Sequence, residues 1–326
     1  MERKALVVGI DDYPVNPLKG CVNDADDIAK LLEINDDESV NFAVQKRTSK
    51  TNYINKASLR KWISECFSGD DDIALFYFSG HGYIDATGGY IVTQDYGPMD
   101  WGVSMQDILT YANQSRCRNK IIILDCCHSG SVGSISTTGQ NTAFINEGVT
   151  ILTASKSDET AAEIRGHGVF TGLLTEALKG GAADITGNIS PGSIYAYIDR
   201  ALGPWEQRPV FKTNVKSFVS LRKAKAPIDI AVVHRIVQYF SDPTLILPLD
   251  PSFEPTNNYE AEHKVVEPLS DRNNMAIFKD LQKLESVGLV APVGTPHMYF
   301  AAMESKACRL TSVGQHYWRL VKDRRL

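Results

Sequence analysis

The chain of 326 residues has no uninterrupted run of about 18 apolar residues, the length a membrane-crossing helix needs, so no span is expected. It opens on Met1-Glu2-Arg3-Lys4 and passes directly into a strand-like segment, without the apolar stretch of a secretory leader. A cytoplasmic location is the expectation. Cysteine is sparse: the six thiols are Cys21, Cys66, Cys117, Cys126, Cys127 and Cys308, and none falls in a repeated C-x-x-C pattern. That argues against a zinc site or a disulfide framework and for reduced thiols. No charge sign dominates, with 34 Lys and Arg against 39 Asp and Glu, so the basic footprint of a nucleic-acid binder is missing.

What is present is an ordinary globular composition, 43% hydrophobic and 22% charged, able to build a packed core. The first two thirds alternate strand and helix. Apolar runs at 5–10 (ALVVGI), 73–78 (IALFYF), 120–124 (KIIIL) and 149–153 read as buried parallel strands. Helical periodicity covers 24–32, 56–67, 105–112, 170–178 and 190–202, with Asn23 or Asp24 as a candidate cap for the first. The expected fold is α/β, a mostly parallel sheet with helices on both faces. A boundary is expected at 223–227, dividing a domain at 1–224 from a smaller one at 229–326. In the latter, helices at 229–240 and 275–287, a hairpin at 289–302 around Val293-Gly294, and a last helix at 310–321 resemble a winged-helix module. That module carries 11 Lys and Arg against 12 Asp and Glu, so nucleic acid is not an expected partner.

Two strands end in reactive side chains. IALFYF runs into Ser79-Gly80-His81-Gly82, and KIIIL into Asp125-Cys126-Cys127-His128-Ser129-Gly130. In open α/β sheets, sites form at the carboxyl ends of strands. If the two strands are neighbours, an imidazole meets a thiol, as thiol activation requires. A histidine at a strand end is by itself more often structural; the paired motif changes that reading. His128 is too close in sequence to Cys127 to serve as its base. His167, in Gly166-His167-Gly168, reads as a loop residue before a helix.

These motifs resemble the caspase-like cysteine peptidases, most closely the metacaspase and bacterial caspase-like branch. Cys127 lies 46 residues after His81, near the roughly 50 of caspases. Lys19-Gly20-Cys21-Val22-Asn23-Asp24-Ala25 and Leu152-Thr153-Ala154-Ser155 extend the resemblance to residues 4–221. It implies Cys127 as nucleophile, with Cys126 where relatives carry a small residue, and His81 as catalytic partner. The backbone N–H groups of Gly82 and Cys127 would form the oxyanion hole. Asp24, Ser79 and Asp125 would line an acidic substrate pocket, implying cleavage of proteins after Arg or Lys; Asp24 as a helix cap and Asp125 as a structural acid are the plain alternatives. The Gly/Ser/Thr-rich stretch 130–141 reads as a loop, and holding neither Arg nor Lys it is no self-cleavage site under that rule. Metacaspases often bind calcium through acids between His and Cys. Here Asp85, Asp95, Asp100 and Asp107 are dispersed, and Met105 and Gln106 stand where paired acids are expected, so no cofactor or metal is expected. Such peptidases are kept latent. A partner protein or a nucleotide-derived second messenger is the expected activator, in stress or antiviral defence. The rival readings are a catalytically silent caspase-fold scaffold and a DNA-binding regulator acting through the second domain.

Overall fold

The computed structural model describes residues 2–98, 100–126, 135–136, 141–142, 144–154, 163–164, 167–202, 209–260 and 265–326, with backbone alone at 135–136, 141–142 and 163–164. The chain forms two compact units, Met1–Lys225 and Ala226–Leu326.

The elements of the first unit follow one another as β1 (Arg3–Gly9), α1 (Cys21–Glu33), β2 (Ala43–Thr48), α2 (Lys56–Cys66), β3 (Ile73–Ser79), β4 (Gly82–Asp85), β5 (Gly88–Gly97), β6 (Asp100–Ser104), α3 (Met105–Gln114) and β7 (Asn119–Asp125). Then come the short β8 (Ile135–Ser136) and β9 (Asn141–Thr142), β10 (Val149–Thr153), the short β11 (Glu163–Ile164) and β12 (His167–Gly168), α4 (Val169–Glu176), β13 (Asn188–Ile189), α5 (Pro191–Ala201), β14 (Val210–Asn214) and β15 (Arg222–Lys223). Six strands make the central sheet in the order β14-β10-β7-β3-β1-β2. All neighbours are parallel except β14, which runs antiparallel to β10.

The parallel strands are apolar on both faces because each face is covered. Leu6, Val8, Phe76, Phe78, Ile122 and Leu124 belong to one core with residues of α2 and α3. Val7, Leu75, Tyr77, Ile121 and Ile123 belong to the other, with residues of α1, α4 and α5. Every residue of β3 is buried, and each large apolar side chain removed from water contributes about 1.5–3 kcal/mol. β2, by contrast, is an edge strand, mostly exposed and polar (AVQKRT), and carries no such signal in the sequence.

The second unit holds α6 (Ile230–His234), α7 (Ile236–Tyr239), β16 (Ile246–Pro248), α8 (Arg272–Ser286), β17 (Val290–Val293), α9 (Met298–Met303), β18 (Ala307–Leu310) and α10 (Ser312–Lys322). The single helix expected over 229–240 is two, separated at Arg235 (φ −72°, ψ −8°), whose Nε donates to the buried Asp280 on α8 at 2.6 Å. The expected hairpin at 289–302 is also corrected. β17 ends at Val293, Gly294 turns the chain at φ 73°, and 298–303 is helical because Met298, Ala301 and Ala302 bury one face at helical spacing. The strand paired with β17 is β18, further on, and the sheet order is β16-β18-β17, all antiparallel. The irregular stretch after β16 is gathered by the fully buried Asn257, whose amide donates to the carbonyls of Pro251, Val266 and Pro268 and accepts from Val266 N–H. Among the described residues, no helix is long and apolar enough to cross a membrane.

Candidate active site

The registers of β1, β3 and β7 set Gly9, Ser79 and Asp125 abreast at the carboxyl edge of the sheet. β3 and β7 are thus neighbours, and Gly80 N–H donates to the Asp125 carbonyl at 3.2 Å just beyond their ends. α1 comes down directly on this edge. A Cβ on Gly9 would collide with the Cys21 carbonyl and lie 2.8 Å from Ala25 Cβ, so only glycine permits the approach.

Asp24 does not cap α1. The N-cap position is Gly20, without a side-chain bond, and the work falls to Asp11, whose carboxylate accepts from Cys21 N–H at 2.8 Å and Val22 N–H at 3.3 Å. Asp24 is therefore free to point into the site, where it is 1% exposed. Its Oδ2 accepts from Ser79 Oγ (3.2 Å) and Gly168 N–H (3.2 Å), and its Oδ1 meets His167 Nδ1 at 2.9 Å. Asp125, also buried, accepts through Oδ2 from Thr171 Oγ1 (2.6 Å) and Thr171 N–H (3.2 Å). It thereby satisfies a first-turn amide of α4, whose own N-cap, Gly168, has no side chain. Tyr77 Oη lies 2.6 Å from Thr171 Oγ1 beneath this pair.

The two carboxylates converge over Gly168. A Cβ built there would lie 2.6 Å from Asp125 Oδ2 and 3.4 Å from Asp24 Oδ2. Burial and then the neighbouring charge of Asp125 push the Asp24 carboxyl up to about 7, against the opposing bonds from His167, Gly168 and Ser79. Burial likewise raises Asp125, with the Thr171 bonds acting the other way. Two acids deprived of water in this way favour a cationic partner.

His81 follows β3 by one residue beyond Gly80. Its Nε2 lies 2.7 Å from the Asn16 carbonyl. A carbonyl only accepts, so Nε2 carries the proton and Nδ1 is the basic nitrogen. Asn16 sits at φ 55°, a left-handed conformation asparagine tolerates. The buried Tyr13 steadies the histidine from below: its ring centroid is 4.6 Å from the imidazole, its Oη accepts from His81 N–H at 3.0 Å and donates to the Val92 carbonyl at 3.2 Å. Gly80 leaves room for it, since a Cβ there would lie 2.5 Å from Tyr13 Oη. Tyr13→Phe removes a hydroxyl on which two buried-side partners depend. Its expected effect is a loss of about 1–3 kcal/mol of folding stability, the cost of leaving buried backbone groups unpaired; denaturant unfolding of the variant checks it, and an unaltered midpoint excludes the hydroxyl as a support of the His81 backbone.

Gly82 begins β4, opposite Ile91 of β5. Cys126 is 3% exposed in the core on the α2/α3 side, the opposite face of β7 from Asp125. Cys127, His128 and most of 130–141 lie outside the described residues. The structure thus brings together Asp24, Ser79 and Asp125, and sets His81 two residues beyond Ser79, the last residue of β3. Sequence reasoning missed three participants. Tyr13 and Asn16 act through a hydroxyl and a carbonyl on an irregular loop and leave no pattern. His167 did have a signal, the glycine that follows it, where a side chain would collide with Asp125; it lies just before α4, as expected, but with its imidazole on Asp24. The four dispersed acids are each engaged by protein groups: Asp85 accepts from Thr87, Asp95 from Thr93 and Lys56 N–H, Asp100 pairs with Lys56 Nζ, and Asp107 with Arg60. Among the described residues, no three His, Cys, Asp or Glu side chains converge on a metal position.

Comparison with known proteins places this geometry in context. Residues 2–219 match the family described as caspase domain. No curated protein matches the chain. Among solved structures, protein GSU0716 from Geobacter sulfurreducens is 17% identical with a TM-score of 0.49, covering 68% of this chain and 97% of that one. Caspase-1 from Spodoptera frugiperda is 13% identical with a TM-score of 0.46, covering 69% and 91%. The family assignment rests on the family match.

Proposed function

Because the chain belongs to the caspase-domain family, with its mixed α/β fold and mostly parallel sheet, we propose that it is a cysteine endopeptidase that cleaves proteins after arginine or lysine. The observation that carries the specificity is the convergence of Asp24 and Asp125 over Gly168, both buried. A side chain entering there meets two acids at once. The planar guanidinium fork can bond both, so arginine is favoured over lysine.

In this reading His81 Nδ1 stabilises the Cys127 thiolate, which attacks the scissile carbonyl. The S–C bond forms as the carbonyl electrons move to oxygen, held by the N–H groups of Gly82 and Cys127. Collapse breaks the C–N bond, and the imidazolium proton goes to the leaving amine. Water, deprotonated by His81, then attacks the thioester; the S–C bond breaks and the thiolate is restored. The Asn16 carbonyl holds the imidazole in the tautomer both steps need. The unit at 226–326 serves regulation or recruitment in this scheme as a winged-helix-like module, a reading its three-stranded antiparallel sheet supports, and a partner protein or a nucleotide-derived second messenger releases a latent enzyme in the cytoplasm.

The test is cleavage of fluorogenic peptides ending in Arg, Lys, citrulline or Asp by the full chain, with and without calcium. Cleavage after Arg, weaker after Lys and negligible after citrulline, supports the reading. Cleavage confined to Asp refutes the acidic pocket.

A further inference from the structure

His167 stands where the proposed pocket opens. Its imidazole is 37% exposed while its partner Asp24 is 1% exposed, so the ring lies between solvent and the carboxylate. Asp24 Oδ1 is engaged by His167, and Oδ2 by Ser79 and Gly168. Any side chain that is to bond Asp24 through Oδ1 therefore meets His167 first.

Resting on the pocket reading above, we propose that His167 is a specificity-determining residue: its imidazole holds Asp24 and yields that carboxylate only to a side chain that brings its own positive charge. The physical reason is what each exchange leaves behind. A neutral side chain that displaced the ring without donating a bond of its own would leave Oδ1 of a buried carboxylate unpaired, which is unfavourable. A guanidinium replaces the lost bond with a charge-assisted one and reaches Asp125 as well, so the exchange is favourable.

The experiment uses the full chain carrying Cys127→Ala, so that nothing is cleaved, and follows binding of Nα-acetyl-arginine methylamide by NMR at a fixed pH above about 7, where Asp24 is ionised. The citrulline analogue is the uncharged control. Adding His167→Ala or His167→Asn should tighten arginine binding about ten-fold, the range of a hydrogen bond to a charged group, and an unchanged amide spectrum elsewhere shows that the variants fold. If both variants bind no tighter than the parent, His167 is not the selector and the proposal falls while the acidic pocket stands. If Asp24→Asn binds arginine as well as the parent does, or citrulline binds equally, the pocket itself is wrong and the proposal falls with it.

Discussion

Cys127→Ala is expected to lower the cleavage rate of arginine peptides by about 10⁴-fold or more, the scale on which covalent catalysis fails when its nucleophile is removed. His81→Ala should approach the same floor, because thiolate formation and leaving-group protonation pass through one imidazole and such losses do not add. Cys126→Ala should retain most of the activity. Cys126 is 3% exposed within the α2/α3 core, so its loss removes a little packing, about 1 kcal/mol, read as a small fall in melting temperature. Rates of the three variants measured side by side decide the assignment: activity lost in Cys126→Ala and kept in Cys127→Ala would transfer the nucleophile to its neighbour.

Asp24→Asn is expected to reduce kcat/KM for arginine peptides by about 10²–10³-fold, as truncating one side of a buried charge pair costs about 2–5 kcal/mol. It is a cleaner test than Asp125→Asn, because Asp125 also holds the Thr171 amide at the start of α4 and its loss disturbs that helix. The wild-type pH profile carries the same information. With its carboxyl pushed up to about 7, Asp24 is protonated and uncharged below that pH and offers a cation little; above it the site is anionic. Arginine-peptide kcat/KM should therefore fall as pH drops through about 7, and the inhibition constant of a small guanidine, which does not depend on the catalytic dyad, should rise over the same range. An inhibition constant flat across that range would remove Asp24 from the pocket. Folding stability responds with the corresponding sign: a raised carboxyl contributes most below its unfolded value of about 3.9, and that contribution is lost as pH rises through about 7. The empty-handed acid thus strains the fold under the conditions in which it binds a cation best.

Much of this was legible in the residues. The runs IALFYF, KIIIL and VTILT lie within or coincide with β3, β7 and β10, and ALVVGI overruns the end of β1 by Ile10 alone, because strands buried on both faces must be apolar throughout. The motifs at 79–82 and 125–130 announced which strand ends bear chemistry. The edge strand β2 and the hairpin sheet of β4, β5 and β6 were not legible, since exposed or irregular strands lose the apolar pattern. In the second unit, local spacing described α8 well, but 298–303 was read as strand because its short apolar run has no period distinguishable until Met298, Ala301 and Ala302 find a common buried face.

The sequence by itself determined the fold class and the family, because these are written in composition, strand hydrophobicity and short motifs that need no partner to be recognised. Only the tertiary structure decided what Asp24, Tyr13, Asn16 and His167 do. Each acts on a residue at least 65 positions away or across an intervening helix or strand, as with His167 on Asp24, 143 residues apart, and His81 on Asn16, 65 apart. Asp24 is buried beside Asp125 rather than capping its helix because Asp11 takes over the capping and the fold brings Ser79, Asp125 and Gly168 around it, and pairings of that range are fixed by packing, not by local sequence.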